Sequence, residues 1–222
     1  MEKLITQVNY YLTEFDILDF FYSFKSTFLD YFMYFFTLMG ENGIFCVALS
    51  LLLIAIPRTR RVGLCCLAAL VCEFIPVNVI LKPLIARTRP IYANTARKIV
   101  TFATVPYDYS FPSGHTAASF AVATALFRNN KKVGIPALLT AFMVGISRLY
   151  FYTHYPTDVL AGVFFGVLGG VLGEKLITHL YKKQELKKAA GEITQPPEDI
   201  NDNDNNTEND EDELTHPEYQ DV

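Results

Sequence analysis

Five stretches of this chain, at about 41–57, 62–82, 114–127, 133–151 and 158–181, are apolar. A soluble helix keeps a polar face, whereas runs such as GIFCVALSLLLIAIP and LAGVFFGVLGGVLGEKLI have none, which is the pattern of helices embedded in lipid. Most of the runs approach the roughly 20 residues needed to cross a hydrocarbon layer. The run at 114–127 reaches that length only if the SFPSGH segment in front of it is included. At 222 residues and 51% hydrophobic composition, the chain has room for a compact bundle of such helices. Closed helices satisfy their own backbone, so an all-α, polytopic transmembrane bundle of five or six spans is expected.

Residues 10–40 admit two readings, being rich in aromatics but carrying Asp16, Asp19, Lys25 and Asp30. They read as a sixth span or as an interfacial helix, with a slight preference for the span. The expected organisation is an N-terminal aromatic-rich segment at 1–40, a membrane-embedded core at 41–183 and an acidic tail at 184–222. From Glu192 to Val222 there are 12 acidic residues and no Lys or Arg, leaving a body with 19 basic and 11 acidic residues, a net +8. The tail has too little apolar area to offset the entropy of ordering and is expected to be a disordered, solvated extension. The N-terminus lacks the apolar core and cleavage site of a secretory signal, so no processing is expected. Cys46, Cys65, Cys66 and Cys72 lie inside apolar runs without metal-ligand spacing and read as packing residues.

Three basic clusters, Arg58/Arg60/Arg61, Arg128/Lys131/Lys132 and Lys182/Lys183/Lys187/Lys188, are separated from one another by two apolar runs each. Placing all three on the cytoplasmic side puts the segments 83–113 and 147–158 outside. The first outer segment and the span end before it break the charge rule with Lys82, Arg87, Arg89, Arg97 and Lys98. A breach of that size asks for a functional reason.

Three polar groups fall at the outer ends of the spans: Lys82 and Arg89 in KPLIARTRP, Pro112 to His115 in PSGH, and Ser147, Arg148, His154 and Asp158 in SRLYFYTHYPTD. Three cations at a membrane boundary are costly unless an anion sits among them. Guanidinium groups match a tetrahedral oxyanion with two-pronged hydrogen bonds, and a helix N-terminus adds N–H donors. In that setting Ser113 caps a helix, Gly114 admits close approach of a phosphate, and His115 rides on the first turn. Asp158 follows His154 by four residues, so its carboxylate can accept one ring N–H and leave the other nitrogen as a nucleophile. His115, from another helix, is then the proton donor to the leaving oxygen. Phosphoryl transfer needs no metal there, because the cations balance the equatorial oxygens.

These residues and spacings resemble the three-part signature of the type 2 phosphatidic acid phosphatase superfamily, which also contains vanadium-dependent haloperoxidases. The resemblance covers about 80–180 and leaves the first 40 residues and the tail unexplained. It implies that His154 is the nucleophile that forms a phosphohistidine, that Asp158 orients it and that His115 is general acid and then base. It likewise implies that Lys82, Arg89, Ser113, Gly114 and Arg148 bind the phosphate, with no cofactor and no metal.

The expected activity is therefore hydrolysis of a lipid phosphate or diphosphate at the outer membrane face. The short loops between motifs favour polyprenyl diphosphate slightly, ahead of phosphatidic acid or phosphatidylglycerol phosphate. A lipid phosphotransferase is the alternative within enzymes, and a lipid-phosphate transporter or flippase the alternative outside them. The greasy spans disfavour a haloperoxidase, and no nucleic-acid partner is expected. Arg87, Arg97 and Lys98 read as headgroup contacts or solvated charges, His179 as an interfacial residue, and Tyr107, Asp108 and Tyr109 as a rim or a plain loop. By helical phase, Asn78 shares the face of Lys82, whereas Glu73, nine residues before Lys82, points to the opposite side. Gly162, Gly166, Gly169, Gly170 and Gly173 suit close helix packing, within one chain or between copies in a homodimer.

Overall fold

The computed structural model describes residues 2–40, 43–93, 101, 105 and 107–193, the side chains of 2–12 and 189–193 excepted. Among the described residues every regular element is a helix: α1 (Glu2–Ser23), α2 (Thr27–Gly40), α3 (Ile44–Ala55), α4 (Arg60–Phe74), a π-helical segment (Ile75–Leu81), α5 (Lys82–Ile85), α6 (Pro90–Ala93), α7 (Gly114–Asn129), α8 (Lys131–Tyr150) and α9 (Pro156–Ile193). Residues 1–184 form one compact unit; of a second, 185–222, only the helical stretch to 193 is described. The acidic tail beyond it, with Arg97 and Lys98, lies outside the described residues.

Three segments are long and apolar enough to cross a membrane: Arg60–Ala93, Lys131–Tyr150 and Pro156–Lys188. Helices α2 and α3, bent by 56° to one another, qualify together as a fourth. Helix α7 is only 16 residues long and buries every residue from Thr116 to Leu126, so it is the central post of the bundle. Its sequence explains the position: Ala117, Ala118, Ala121, Ala123 and Ala125 leave room for neighbouring helices to approach, and α8, α4, α2 and α3 all pack on it.

The glycines of α9 serve packing within the chain. A Cβ added to Gly162, Gly166 or Gly170 would stand 2.7, 2.5 or 2.7 Å from the carbonyl oxygens of Ser113, Ala117 and Ala121 on α7. On the adjacent stripe, Gly169 and Gly173 would meet Glu73 and Ala69 of α4 at 2.8 and 2.3 Å. Two small-residue faces thus let α9 press against α7 and α4 at backbone distance, where dispersion contacts replace a hydrophobic drive that lipid does not supply.

Residues 10–40 form two helices broken at Phe24–Ser26. Two of the acidic residues that made this stretch look interfacial, Asp19 and Asp30, are turned inward, whereas Asp16 is exposed. Asp19 accepts the Tyr152 hydroxyl at 2.5 Å, and Asp30 accepts the Tyr150 hydroxyl at 2.8 Å and faces Lys25 at 3.3 Å. These partners lie at the C-terminal end of α8 and just beyond it, so α1 and α2 gather at one end of the bundle. At the other end Arg128 reaches Glu174 at 2.6 Å, Glu174 accepts from Thr178 at 2.8 Å, and Arg61 donates to Thr178 at 3.1 Å. Those bonds draw the basic ends of α4, α7 and α9 together.

Candidate active site

The residues of the three polar groups meet at the α8–α9 end. Lys82 is delivered where the π-helical segment returns to α-helix, Arg89 by the short loop after α5, and His115 by the first turn of α7. Arg148 comes from the last turn of α8, His154 from the turn 151–155, and Asp158 from the first turn of α9, which opens on Pro156 as helices often do. Arg148, His154, Arg89 and Lys82 all act electrostatically on the His115 ring.

His154 is 1% exposed, and its Nδ1 lies 2.7 Å from the Ser110 carbonyl oxygen. A carbonyl only accepts, so Nδ1 carries the proton and Nε2 presents its lone pair. Arg89 NH1 stands 3.0 Å from that Nε2 while also donating to the Thr153 carbonyl at 3.0 Å. Burial pushes the imidazole down to about 4; Asp158 opposes the shift, and Arg89 and Arg148 add to it. The ring is therefore neutral at ordinary pH.

The expectation that Asp158 accepts the ring N–H directly is corrected by this geometry. Its Oδ2 lies 3.6 Å from Nδ1, too far for a hydrogen bond. Instead the Ser110 hydroxyl and the Tyr155 N–H, at 2.9 Å, donate to Oδ2. Asp158 thereby holds Ser110, and the Ser110 carbonyl holds the imidazole. A backbone acceptor leaves no mark in side-chain spacing, which is why sequence reasoning missed it.

Arg87 is likewise not a headgroup contact or a solvated charge. Its NH1 donates to Asp158 Oδ1 at 2.6 Å and to Thr157 Oγ1 at 2.8 Å, and NH2 donates to Glu14 Oε2. The guanidinium also lies 3.8 Å from the centroid of the Tyr155 ring. Glu14, 4% exposed on α1, accepts from the Thr157 hydroxyl and, at 3.3 Å, from the Thr157 N–H. Nothing in the sequence around Glu14 announces this, because its partner lies 73 residues away.

Asp108 forms an anionic bridge. Its carboxylate accepts from Lys82 and, at 2.5 Å, from Arg89 NH2, while its carbonyl accepts Arg89 Nε at 3.0 Å. Partial burial pushes the carboxyl up, but the hydrogen bonds and charges of Lys82 and Arg89 outweigh it and hold the group below the usual range. Tyr107 and Tyr109 beside it are exposed. These two cations thus already grip an oxyanion in the manner expected for a phosphate.

Ser113 occupies the N-cap position of α7, but its side chain makes no cap bond; its Oγ pairs with Thr116 Oγ1 at 2.9 Å and its N–H donates to the Asp158 carbonyl at 3.0 Å. The first intrahelical bond runs from Ala117 N–H to Ser113 O, so the N–H groups of the first turn have no intrahelical partner. Gly114 is needed for close approach, though of Asn78: a Cβ there would stand 2.9 Å from Asn78 Oδ1. Arg148, 1% exposed, donates to Thr37 Oγ1 at 2.6 Å, and Thr37 donates to Ser147 Oγ at 3.0 Å. Among the described residues no cluster of His, Cys, Asp or Glu is arranged to hold a metal.

A cavity of about 470 Å3 opens beside this cluster, lined by Lys82, Arg89, Asp108, Gly114 and His115 at one end and by apolar side chains at the other. Glu73 and Asn78 line it too, which corrects the expectation that Glu73 faces away from Lys82. The π-helical segment between them bonds i to i+5 and takes more residues per turn. That lag in phase brings Glu73, Asn78 and Lys82 onto one wall.

The family described as "PAP2 superfamily" matches residues 59–183. The chain is 31% identical over 135 residues to the undecaprenyl-diphosphatase BcrC of Bacillus subtilis, covering 57% of this chain and 66% of that protein. It is 33% identical over 169 residues to the lipid A 4'-phosphatase of Bacteroides thetaiotaomicron, covering 70% of this chain and 73% of the relative. The crystal structure of a transmembrane PAP2-type phosphatidylglycerolphosphate phosphatase from Bacillus subtilis superposes with a TM-score of 0.61 at 25% identity, covering 76% of this chain and 86% of that one.

Proposed function

The chain belongs to the PAP2 superfamily, and from that premise we propose that it is an integral-membrane phosphatase that removes phosphate from a lipid phosphate or diphosphate through a phosphohistidine on His154. The relatives act, by name, on undecaprenyl diphosphate, on lipid A and on phosphatidylglycerolphosphate. Their common feature is a phosphate carried by a lipid, and that chemistry is what we assign here.

In this reading the substrate phosphate takes the place of the Asp108 carboxylate on Lys82 and Arg89, with Arg148 and the first turn of α7 completing the cradle. The Nε2 lone pair of His154 attacks phosphorus as the bond to the lipid oxygen breaks, and His115 gives that oxygen its proton. Water, deprotonated by His115, then attacks the phosphohistidine; the P–N bond breaks, phosphate leaves and His154 regains its lone pair. Asp158 and Arg87 act one step back by keeping the Ser110 carbonyl on Nδ1.

The observation that carries the reading is the buried His154 ring, with its proton fixed on Nδ1 and its Nε2 lone pair accepting from Arg89 NH1 at 3.0 Å. We place the site at the outer membrane face, because the basic ends of α4, α7 and α9 gather at the opposite end and positive loops favour the cytoplasm. Five crossings fit that polarity: the bent α2–α3 pair, the Arg60–Ala93 segment, α7, α8 and α9, with α1 lying along the site end. The test is phosphate release by purified protein in the presence of EDTA. His154→Ala and His115→Ala are each expected to abolish it, and undiminished turnover by either variant overturns the mechanism.

A further inference from the structure

Beyond the cradle the cavity runs on between α3, α4 and α7, past Asn78, to a wall that includes Leu67, Leu70, Val71 and Val47. In that apolar stretch sits one carboxyl. Glu73 is 2% exposed, it lines the cavity, and its Oε2 has no hydrogen-bond partner. Neither the phosphate cradle nor the two-histidine mechanism uses it.

Its position relative to the cradle is set by the π-helical segment. Nine residues separate Glu73 from Lys82, no more than about 14 Å of helix axis, and both line the same cavity. Asn78 lies between them on the same wall, with its Oδ1 beside Gly114. A ligand whose phosphate sits on Lys82 and Arg89 therefore lays its next atoms along Asn78 and Glu73 before its tail meets the aliphatic wall. A hydrocarbon chain there would leave Glu73 without a partner in an apolar setting, the costly outcome for a buried polar group. A hydroxyl, ring or ester oxygen would pair with it.

We propose that Glu73 and Asn78 form a subsite for an oxygen-bearing backbone directly behind the phosphate, a glycerol or a sugar. The protein then prefers lipid phosphates built on such a backbone to phosphates of a plain polyprenyl alcohol. This rests on the lipid-phosphatase reading and reverses the slight preference for polyprenyl diphosphate drawn from loop length.

The test compares kcat/KM of the wild type, Glu73→Leu and Glu73→Gln on phosphatidic acid, lipid A 4'-phosphate, farnesyl phosphate and undecaprenyl diphosphate in one detergent. The wild type is expected to favour at least one of the two oxygen-bearing substrates by about tenfold or more, and the phosphatidic acid and lipid A arms tell glycerol from sugar. Glu73→Leu is expected to collapse that preference by about tenfold, chiefly through KM, while Glu73→Gln, which can still hydrogen-bond, keeps most of it. Glu73→Met replaces the Leu variant if that protein does not purify. An active wild type without the preference, or an apolar variant that slows all four substrates alike, overturns the subsite alone. A wild type that releases phosphate from none of the four overturns the phosphatase reading and the subsite with it.

Discussion

At one end of α7, Arg128 pairs with Glu174 across 2.6 Å, with 37% of the arginine side chain and 13% of the glutamate side chain in solvent. At the other end, Arg89 and Arg148 are 2% and 1% exposed, and Arg87 bridges two carboxylates with 12% of its side chain exposed. The residue types are alike, and the environments differ. A pair whose cation stands in solvent gains less from its partner because water competes for that charge. A buried one has lost its hydration, so each charge depends on the groups that face it. The exposed end can therefore tolerate loss, whereas the buried end holds a set of interdependent charges around one imidazole. Such a set costs stability to assemble, and in the proposed mechanism its use is to hold His154 and an anion in one geometry.

The largest effect expected from this contrast comes from Arg87→Met. It strips the cation from Glu14 and Asp158 together and should cost about 3–5 kcal/mol of stability, read as a fall in melting temperature in detergent, with kcat lowered by about a hundredfold or more. Adding Glu14→Gln to that variant should restore part of the stability. No recovery would mean that the two carboxylates do not share the cation as the contacts imply.

A middle-sized effect concerns pH. Burial pushes His154 down from its ordinary 6.5 to about 4, so its neutral, nucleophilic form is expected to persist as pH falls through 6.5 and to be lost only near 4. The rate of phosphohistidine formation at saturating substrate should therefore show no His154 titration between pH 7 and 5, measured by rapid-quench trapping. An acid limb centred near 6.5 that moves with substitution at Asp158 would place this histidine in contact with water.

The smallest effect belongs to the exposed end. Arg128→Ala should change stability by about 0.2–1 kcal/mol and leave phosphate release unaltered, as monitored by thermal unfolding and initial rates. A loss as large as that of Arg87→Met would erase the distinction between the two ends.

Much of the candidate site was legible because its chemistry is carried by residue identity. Lys82, Arg89, His115, Arg148, His154 and Asp158 stand at the ends of apolar runs, and the alternation of runs and basic clusters placed them together. Three features were not legible. Arg87 looked like one more surface cation, since its partner Glu14 lies on a helix with no motif of its own. The acceptor on His154 is the Ser110 carbonyl, which every residue possesses and no pattern marks. Glu73 was assigned to the wrong face because a uniform 3.6-residue period was assumed across a segment that is π-helical.

The amino-acid sequence by itself determined the helical, membrane-embedded class and the identity of the charged and imidazole groups at one end of the spans. Those properties are local, since length and hydropathy decide whether a segment can sit in lipid and side-chain chemistry decides what it can bind. Only the tertiary structure decided which two carboxylates Arg87 holds, which oxygen fixes the His154 proton and which wall Glu73 joins. These depend on distances between segments far apart in the chain and on a helix's departure from its regular period. Packing sets the distances, through the small residues that let α7, α9 and α4 touch backbone to backbone, and the change of period falls on a segment with Pro76 in its first turn.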